Sequence, residues 1–387
     1  MATLHNLSSI FNTYISSTEF LNKNYPDTIH NRITYLFGIG KRVRPSLHMV
    51  FANFNIYGYI DNIECTDILN IAVFIETIHC LSLIIDDLPE MDDDAMRRDL
   101  QSFHKKWGHY QTEMFIFYIL NKLISNTECL FIKDKFTKAL TKELTPELTP
   151  ELTPELTSQI NIFKKIKNLV ARCLGMLVDG QYIDMMMVDN LFTDKCDNLT
   201  LTPIESTFAT DFATEIDIIF SCLVNVNLTP IIINQIEINI ELNSKKTGAL
   251  FNLAILSGLY WQINKFKLDA LNETTTINNL EGYGFITLKE FIEIVDVWSF
   301  ILGYLFQISD DILDVIKDEV SGSPNLCLII GICNCINLTG KLSEWLKNGA
   351  YRIQQYASLL HPDMYIDISI IIEIIGKITE KITKQNT

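Results

Sequence analysis

Residues 288–315 read LKEFIEIVDVWSFILGYLFQISDDILDV: apolar for most of their length, then closing on Asp310, Asp311 and Asp314. The run is long enough for several helical turns. On an α-helix Asp310 and Asp314 lie on one face, one turn apart. A second apolar run, Asp67 to Ile85, ends the same way, at Asp86-Asp87-Leu-Pro-Glu-Met-Asp92 followed by Asp93 and Asp94. Here Pro89 interrupts the turn, and a local bulge is needed to bring Asp86 and Asp92 onto one side. Clustered carboxylates repel one another, and beside apolar sequence they are costly unless cations compensate. Hard divalent cations do this through oxygen ligands; Mg2+ takes only one or two carboxylates and leaves its other positions to water and substrate phosphates.

Further stretches read as helix: Ile160 to Met187 and Leu250 to Asn264, with Pro230 to Leu242 and Cys327 to Ile336 as helices despite their β-branched residues. Only 16 glycines and 10 prolines occur in 387 residues, which argues against a loop-rich β protein. The expected fold class is all-α: one domain over residues 1–387, a large bundle of mostly antiparallel helices around a central cavity. Two insertions interrupt it. Glu143 to Thr157 reads ELTPELTPELTPELT, where proline at every fourth residue excludes a regular helix. A polar stretch, Asp189 to Asp217, is the other.

Hydrophobic residues are 48% and charged residues 20% of the chain, enough apolar mass for a large core and against disorder. A net charge of −16 excludes a general nucleic-acid binder, which needs a basic face. No unbroken apolar run reaches the ~18 residues of a membrane span, so no transmembrane segment is expected. Nine cysteines without a CxxC pair read as reduced thiols, and a cytoplasmic location is expected. In this acidic chain the cations are concentrated: Lys41, Arg42 and Arg44 in Gly40–Pro45, Arg97 and Arg98 after the first acidic cluster, and Lys245-Lys246. Cations beside carboxylates imply an anion site, with guanidinium forks suited to phosphate oxygens.

Five motifs in order resemble the trans-isoprenyl diphosphate synthases, the farnesyl and geranylgeranyl diphosphate synthase type. They are GKRVRP (Gly40–Pro45), DDLPEMD followed by the paired arginines (Asp86–Arg98), GMLVDGQYID (Gly175–Asp184), KTGALF (Lys246–Phe251) and FQISDDILDV (Phe306–Val315). The resemblance implies Mg2+ held by Asp86, Asp87 and Asp92, and a further Mg2+ held by Asp310, Asp311 and Asp314. It implies an allylic diphosphate contacted by Arg97, Lys246, Thr247 and Gln307. It implies isopentenyl diphosphate held by Lys41, Arg44, His79 and Arg98; without the resemblance, His79 reads as a core histidine. Asp86, Asp87, Asp92, Arg97, Lys246 and Asp310 are thereby the catalytic set, and a homodimer is implied.

The implied reaction is head-to-tail prenyl transfer to a short all-trans prenyl diphosphate. Leu81 and Ser82, about a turn before Asp86, favour geranylgeranyl over farnesyl. The alternatives are a non-catalytic or regulatory subunit of such a synthase, or a longer-chain polyprenyl synthase. Three departures stand out. Asp99 follows the paired arginines where the family has glycine. A bulky apolar stretch, Glu113 to Leu123, replaces a Gly-Asp-containing helix. Ser321-Gly-Ser-Pro-Asn325 stands where the family carries lysines.

Overall fold

The computed structural model describes residues 3–17, 27–38, 40–54, 63–132, 154–191, 212–224, 226–268 and 287–383. The chain is all-α, as its apolar stripes imply. Among the described residues the only strands are two of two residues each. The chain divides into two compact units, Met1–Leu169 with Ser257–Leu271, and Val170–Leu256 with Asn272–Thr387.

The first unit contains α1 (Leu4–Ser17), α2 (Asp27–Leu36), α3 (Val43–Phe51) and α4 (Ile63–Asp86). A hairpin of β1 (Met96–Arg97) and β2 (Leu100–Gln101) follows, then α5 (Phe103–Trp107), α6 (His109–Ile132) and the start of α7 (Pro154–Leu191). Helix α4 is apolar on nearly every face, which marks a central helix. It packs against α1, α3 and α6. Ile68, Ala72, Ile75 and Ile78 are 0–2% exposed.

The second unit holds the rest of α7, then α8 (Ala213–Cys222), α9 (Pro230–Asn243), a π-turn at Ser244–Gly248 and α10 (Ala249–Lys265), whose residues from Ser257 on count with the first unit. Beyond it come α11 (Leu288–Ser321), α12 (Leu326–Ile330), α13 (Ile332–Leu360) and α14 (Ile368–Thr383). Helix α11 starts on a capping box: the Glu290 N–H donates to Thr287 Oγ1 at 3.1 Å and the Thr287 N–H to Glu290 Oε2 at 2.7 Å. It stops where Gly322 takes φ 73°. Between those ends it packs on α13 and α14. Trp298 is buried there with its indole N–H donated to Leu346 O at 3.0 Å, so burial leaves no donor unmet; a side chain of this size contributes roughly 1.5–3 kcal/mol or more.

Three sequence expectations change. The prolines of the ELTP repeat do not exclude helix throughout, because α7 begins on Pro154; proline at the first helical position lacks only a donor that no partner there requires. Residues 143–153 lie outside the described residues. The polar stretch 189–217 ends in helix α8, with Glu215 buried, and its residues 192–211 also lie outside them. Finally, Cys65–Asp86 and Leu288–Ser321 are long and apolar enough by composition to cross a membrane. Unbroken runs miss them because scattered polar residues interrupt each helix without lowering its mean hydropathy much. Of their most apolar windows 72% and 61% are buried inside the protein. Cys327 to Ile336 is helical, but broken at Gly331, whose φ is 85°.

Candidate active site

In the first unit the acidic segment begins where α4 ends. The Asp92 N–H donates to the Asp86 carbonyl at 2.9 Å, and the Asp93 N–H to Leu88 O at 3.1 Å. The loop through Pro89 therefore curls back on the helix end. Asp86 is half-buried and Asp92 exposed. Asp87 turns inward: its side chain is 4% exposed and accepts from Arg97 Nε at 2.7 Å and also from Arg97 Nη2. Arg97 Nη2 reaches Asp94 as well, at 3.1 Å. Burial raises the Asp87 carboxyl above the ordinary carboxylate range, and the Arg97 guanidinium opposes that rise.

The hairpin positions both arginines. Its turn places Arg98 at φ 53° and Asp99 at φ 63°, the two positive angles of a type I′ turn that suit the twist of paired strands. This is the position where the family has glycine. Aspartate tolerates the left-handed region better than most residues, so the turn survives the change.

Arg97 faces Asp87 while Arg98 turns to His79. His79 Nε2 lies 3.2 Å from Arg44 Nη1 and 3.3 Å from Arg98 Nη2. Burial first, then the nearby arginines led by Arg44 and Arg98, hold the His79 pKa well below its ordinary value. The neutral ring thus accepts at Nε2 from two cations that repel each other, an arrangement ready for an anion. Lys41 is exposed, at the start of the same segment. Arg42, the middle cation, has another task. It is buried, pairs with Glu76 at 2.7 Å and donates to Asn12 Oδ1 and the carbonyls of Phe37 and Gly38. The signal for this was Glu76, a lone carboxylate within the apolar run.

In the second unit the π-turn holds the KTG motif. Three successive side chains of this turn take three different partners. Lys245 is buried and pairs with Glu241 at 2.6 Å. Lys246 Nζ bonds Asp184, the last residue of the GMLVDGQYID motif. Thr247 Oγ1 donates to Gln307 Oε1 at 2.8 Å. Two glycines permit this closeness. A Cβ at Gly180 would lie 2.9 Å from the Lys246 amide nitrogen, and one at Gly303 would lie 2.6 Å from Gly248 Cα.

Gln307 passes the chain of bonds onward, its Nε2 donating to Asp311 Oδ1 at 2.9 Å. The Leu326 N–H donates to Asp311 Oδ2 at 2.9 Å. Asp311 is buried, and burial pushes its carboxyl up to about 7 against the pull of those two donors. Asn325 braces the segment, donating to Asp311 O at 2.8 Å and to Asp318 Oδ2 at 2.7 Å. Asp310 is half-buried and Asp314 exposed, and Asp310 Oδ1 lies 2.9 Å from Lys381 Nζ. Neither Leu326 nor Lys381 is marked by the sequence, and Asn325 only as the end of the segment that lacks lysines.

The donor set suits a hard divalent cation: carboxylate oxygens, two outward in each motif. Among the described residues no three His, Cys, Asp or Glu side chains converge to hold a metal alone. A Mg2+ ion there would complete its shell with water and phosphate. In the first unit Asp86 and Asp92 could hold such an ion, and in the second unit Asp310 and Asp314 could hold another, while Asp87 and Asp311 are the buried members of their motifs.

Residues 26–202 match the family model described as polyprenyl synthetase. A farnesyl diphosphate synthase of Escherichia coli is 45% identical over 69 residues, 18% of this chain and 21% of the relative. One from Bacillus subtilis is 40% identical over 84 residues, 21% of this chain and 26% of the relative. The mitochondrial geranylgeranyl pyrophosphate synthase 6 of Arabidopsis thaliana is 41% identical over 81 residues, 21% and 22% of the two chains. The matched stretch thus spans about a quarter or less of each curated relative. Among solved structures, a geranyltransferase of Helicobacter pylori aligns with a TM-score of 0.59 at 16% identity, over 97% of this chain and 96% of its own. The same enzyme complexed with magnesium and isoprenyl diphosphate gives 0.58 at 17%, over 97% and 98%. At such identities the likeness establishes the fold. Together the sequence matches bear out the family resemblance over residues 26–202, which carry the first three of the five motifs.

Proposed function

We propose that this chain, whose residues 26–202 match the polyprenyl synthetase family model, joins isopentenyl diphosphate head-to-tail to an allylic diphosphate. The observation that carries the reading is the pair of guanidiniums, Arg44 and Arg98, converging on one nitrogen of a neutral His79 next to the acidic loop. Ionising a single prenyl diphosphate, as a cyclase does, needs no such second anion site. Arg44 and Arg98 take the diphosphate of isopentenyl diphosphate, with Lys41 at the rim. Lys246, Thr247 and Gln307 contact the allylic diphosphate, with Arg97 of the hairpin.

Asp86 and Asp92 in the first unit, and Asp310 and Asp314 in the second, would each hold Mg2+, which would stabilise charge on the departing diphosphate. The allylic C–O bond breaks, the isopentenyl double bond supplies the electron pair for the new C–C bond, and a proton leaves to the released diphosphate. No nucleophile from the protein is required. The apolar length of α4 keeps water from the cationic carbon. Leu81 is buried and Ser82 half-buried, with its hydroxyl turned to His79 O at 2.9 Å. We take the product to be geranylgeranyl diphosphate, with farnesyl next, because neither residue is an aromatic floor.

The chain is proposed to act as a homodimer in the cytoplasm. Tyr110, Met114, Phe117 and Ile124 form a stripe along α6 that is 65–80% exposed, the kind of face a second copy would cover. No disulfide joins the described cysteines. The test is to incubate purified chain with labelled isopentenyl diphosphate, each allylic diphosphate and Mg2+, and to separate products by chromatography. Elongation to C20 supports the reading. No product beside an active control, or a cyclic hydrocarbon from one substrate, overturns it.

A further inference from the structure

The second acidic motif meets its cation in an unexpected place. The segment after it, Ser321-Gly-Ser-Pro-Asn325, has no lysine. Lys381, near the end of the last helix, sets its ammonium 2.9 Å from Asp310 Oδ1 and 4.7 Å from the centre of the Phe306 ring, one turn earlier on α11. This placement is built in. Helix α14 is fastened along its inner face by Ile370, Ile371, Ile374, Ile375, Ile378 and Ile382, all 0–5% exposed. An isoleucine next to Lys381 in sequence anchors the backbone while the lysine reaches along α11.

The pair is suited to exchange. Lys381 and Asp310 have side chains 23% and 33% exposed, so their attraction is partly screened and modest. A divalent cation at about 2.1 Å from the same oxygen would outcompete an ammonium at hydrogen-bond distance. The phosphate oxygens carried on that cation would then sit within about 4 Å of Asp310, inside the sweep of a lysine's flexible four-carbon stem.

We propose that Lys381 is a positioning residue of the second acidic motif: it holds Asp310 until a divalent cation takes that carboxylate, then moves to the phosphate oxygens the cation brings. The proposal rests on the functional reading above and names a cation that serves its second motif.

The experiment uses the full chain, wild type against Lys381→Met and Lys381→Arg, each with its melting temperature and circular dichroism recorded. Mn2+ titration followed by electron paramagnetic resonance reads metal binding alone. Calorimetric titration with inorganic diphosphate in saturating Mg2+ reads the second half. Lys381→Met is expected to bind Mn2+ about 3- to 5-fold more tightly, as loss of a partly exposed ion pair allows. It should bind diphosphate about 3- to 10-fold more weakly, as loss of a charged phosphate contact implies. Lys381→Arg should stay within about twofold of wild type in both. Wild-type behaviour of Lys381→Met in either titration overturns the proposal. So does a change in Mn2+ affinity that persists when Lys381→Met is placed in an Asp310→Asn background, which also covers the case where the variant merely loosens the fold. Prenyl transfer by the wild type separates the two claims. Absent transfer with the expected titrations removes the functional reading and leaves the exchange; active transfer with flat titrations removes the exchange alone.

Discussion

The two acidic motifs are spelled almost alike and balanced differently. In each, the second aspartate of the leading pair is buried, while the first is half-buried and the last exposed. Asp87 meets a full positive charge, Arg97, brought by a hairpin ten residues on. Asp311 meets only neutral donors, the Gln307 amide and the Leu326 N–H, and its carboxyl rises to about 7, chiefly through burial. A countercharge in the second motif goes to Asp310, from a lysine 71 residues along the chain. A matching motif thus fixes which oxygens are offered to a ligand and leaves open how the buried oxygens are neutralised.

The widest break in this comparison should come from the outward carboxylates, where the two motifs are alike. Asp86→Ala and Asp310→Ala should each lower turnover by about 100-fold or more with circular dichroism unchanged. Steady-state prenyl transfer checks this, and full activity in either variant would remove that motif from the mechanism. The inward residues should separate the motifs. Arg97→Met strands the Asp87 charge and should cost about 2–3 kcal/mol, discounted because Arg97 is one-third exposed. Gln307→Leu removes one neutral donor and should cost about 1–2 kcal/mol. Urea unfolding of both tests the order, and equal losses would mean that Arg97 acts as no more than a hydrogen-bond donor.

His79 sharpens the contrast in charge. Its folded pKa is depressed, so the unfolded chain takes up a proton first as pH falls below about 6.5. Its contribution is therefore intact above that value and declines below it, by at most about 1.4 kcal/mol per pH unit. Unfolding midpoints between pH 7 and 5 should fall less steeply in His79→Gln than in wild type; parallel curves would contradict the neutral, doubly contacted ring. The smallest effect is local to the hairpin. Asp99→Gly relieves a left-handed φ and should add about 0.5 kcal/mol, read from the same unfolding curves.

The helices were legible because apolar residues recur at helical spacing and few glycines or prolines interrupt them. The reactive segments were legible because carboxylates at the ends of apolar runs are too costly to be incidental. What stayed hidden depends on partners far along the chain or on main-chain groups. Nothing in the sequence distinguishes Asp311 from Asp310, since the group that claims Asp311 is a backbone N–H at Leu326. Arg42 looks like its neighbours Lys41 and Arg44 until Glu76 is seen beside it. Lys381 sits in an unremarkable amphipathic tail helix. Pro154 repeats the letters of Pro146 and Pro150, yet proline at a first turn and proline in an interior have opposite meanings.

The widened turn at 244–248 carries a last implication for how this protein can change. A helix advances about 100° per residue, so deleting one residue there would turn it into ordinary helix and rotate everything beyond it relative to everything before. Lys246 and Thr247 would then no longer reach Asp184 and Gln307 together. Substitutions at those positions can be tried one at a time, but the length of that segment is locked, and a change in it must be answered by a compensating slip elsewhere in the same helix.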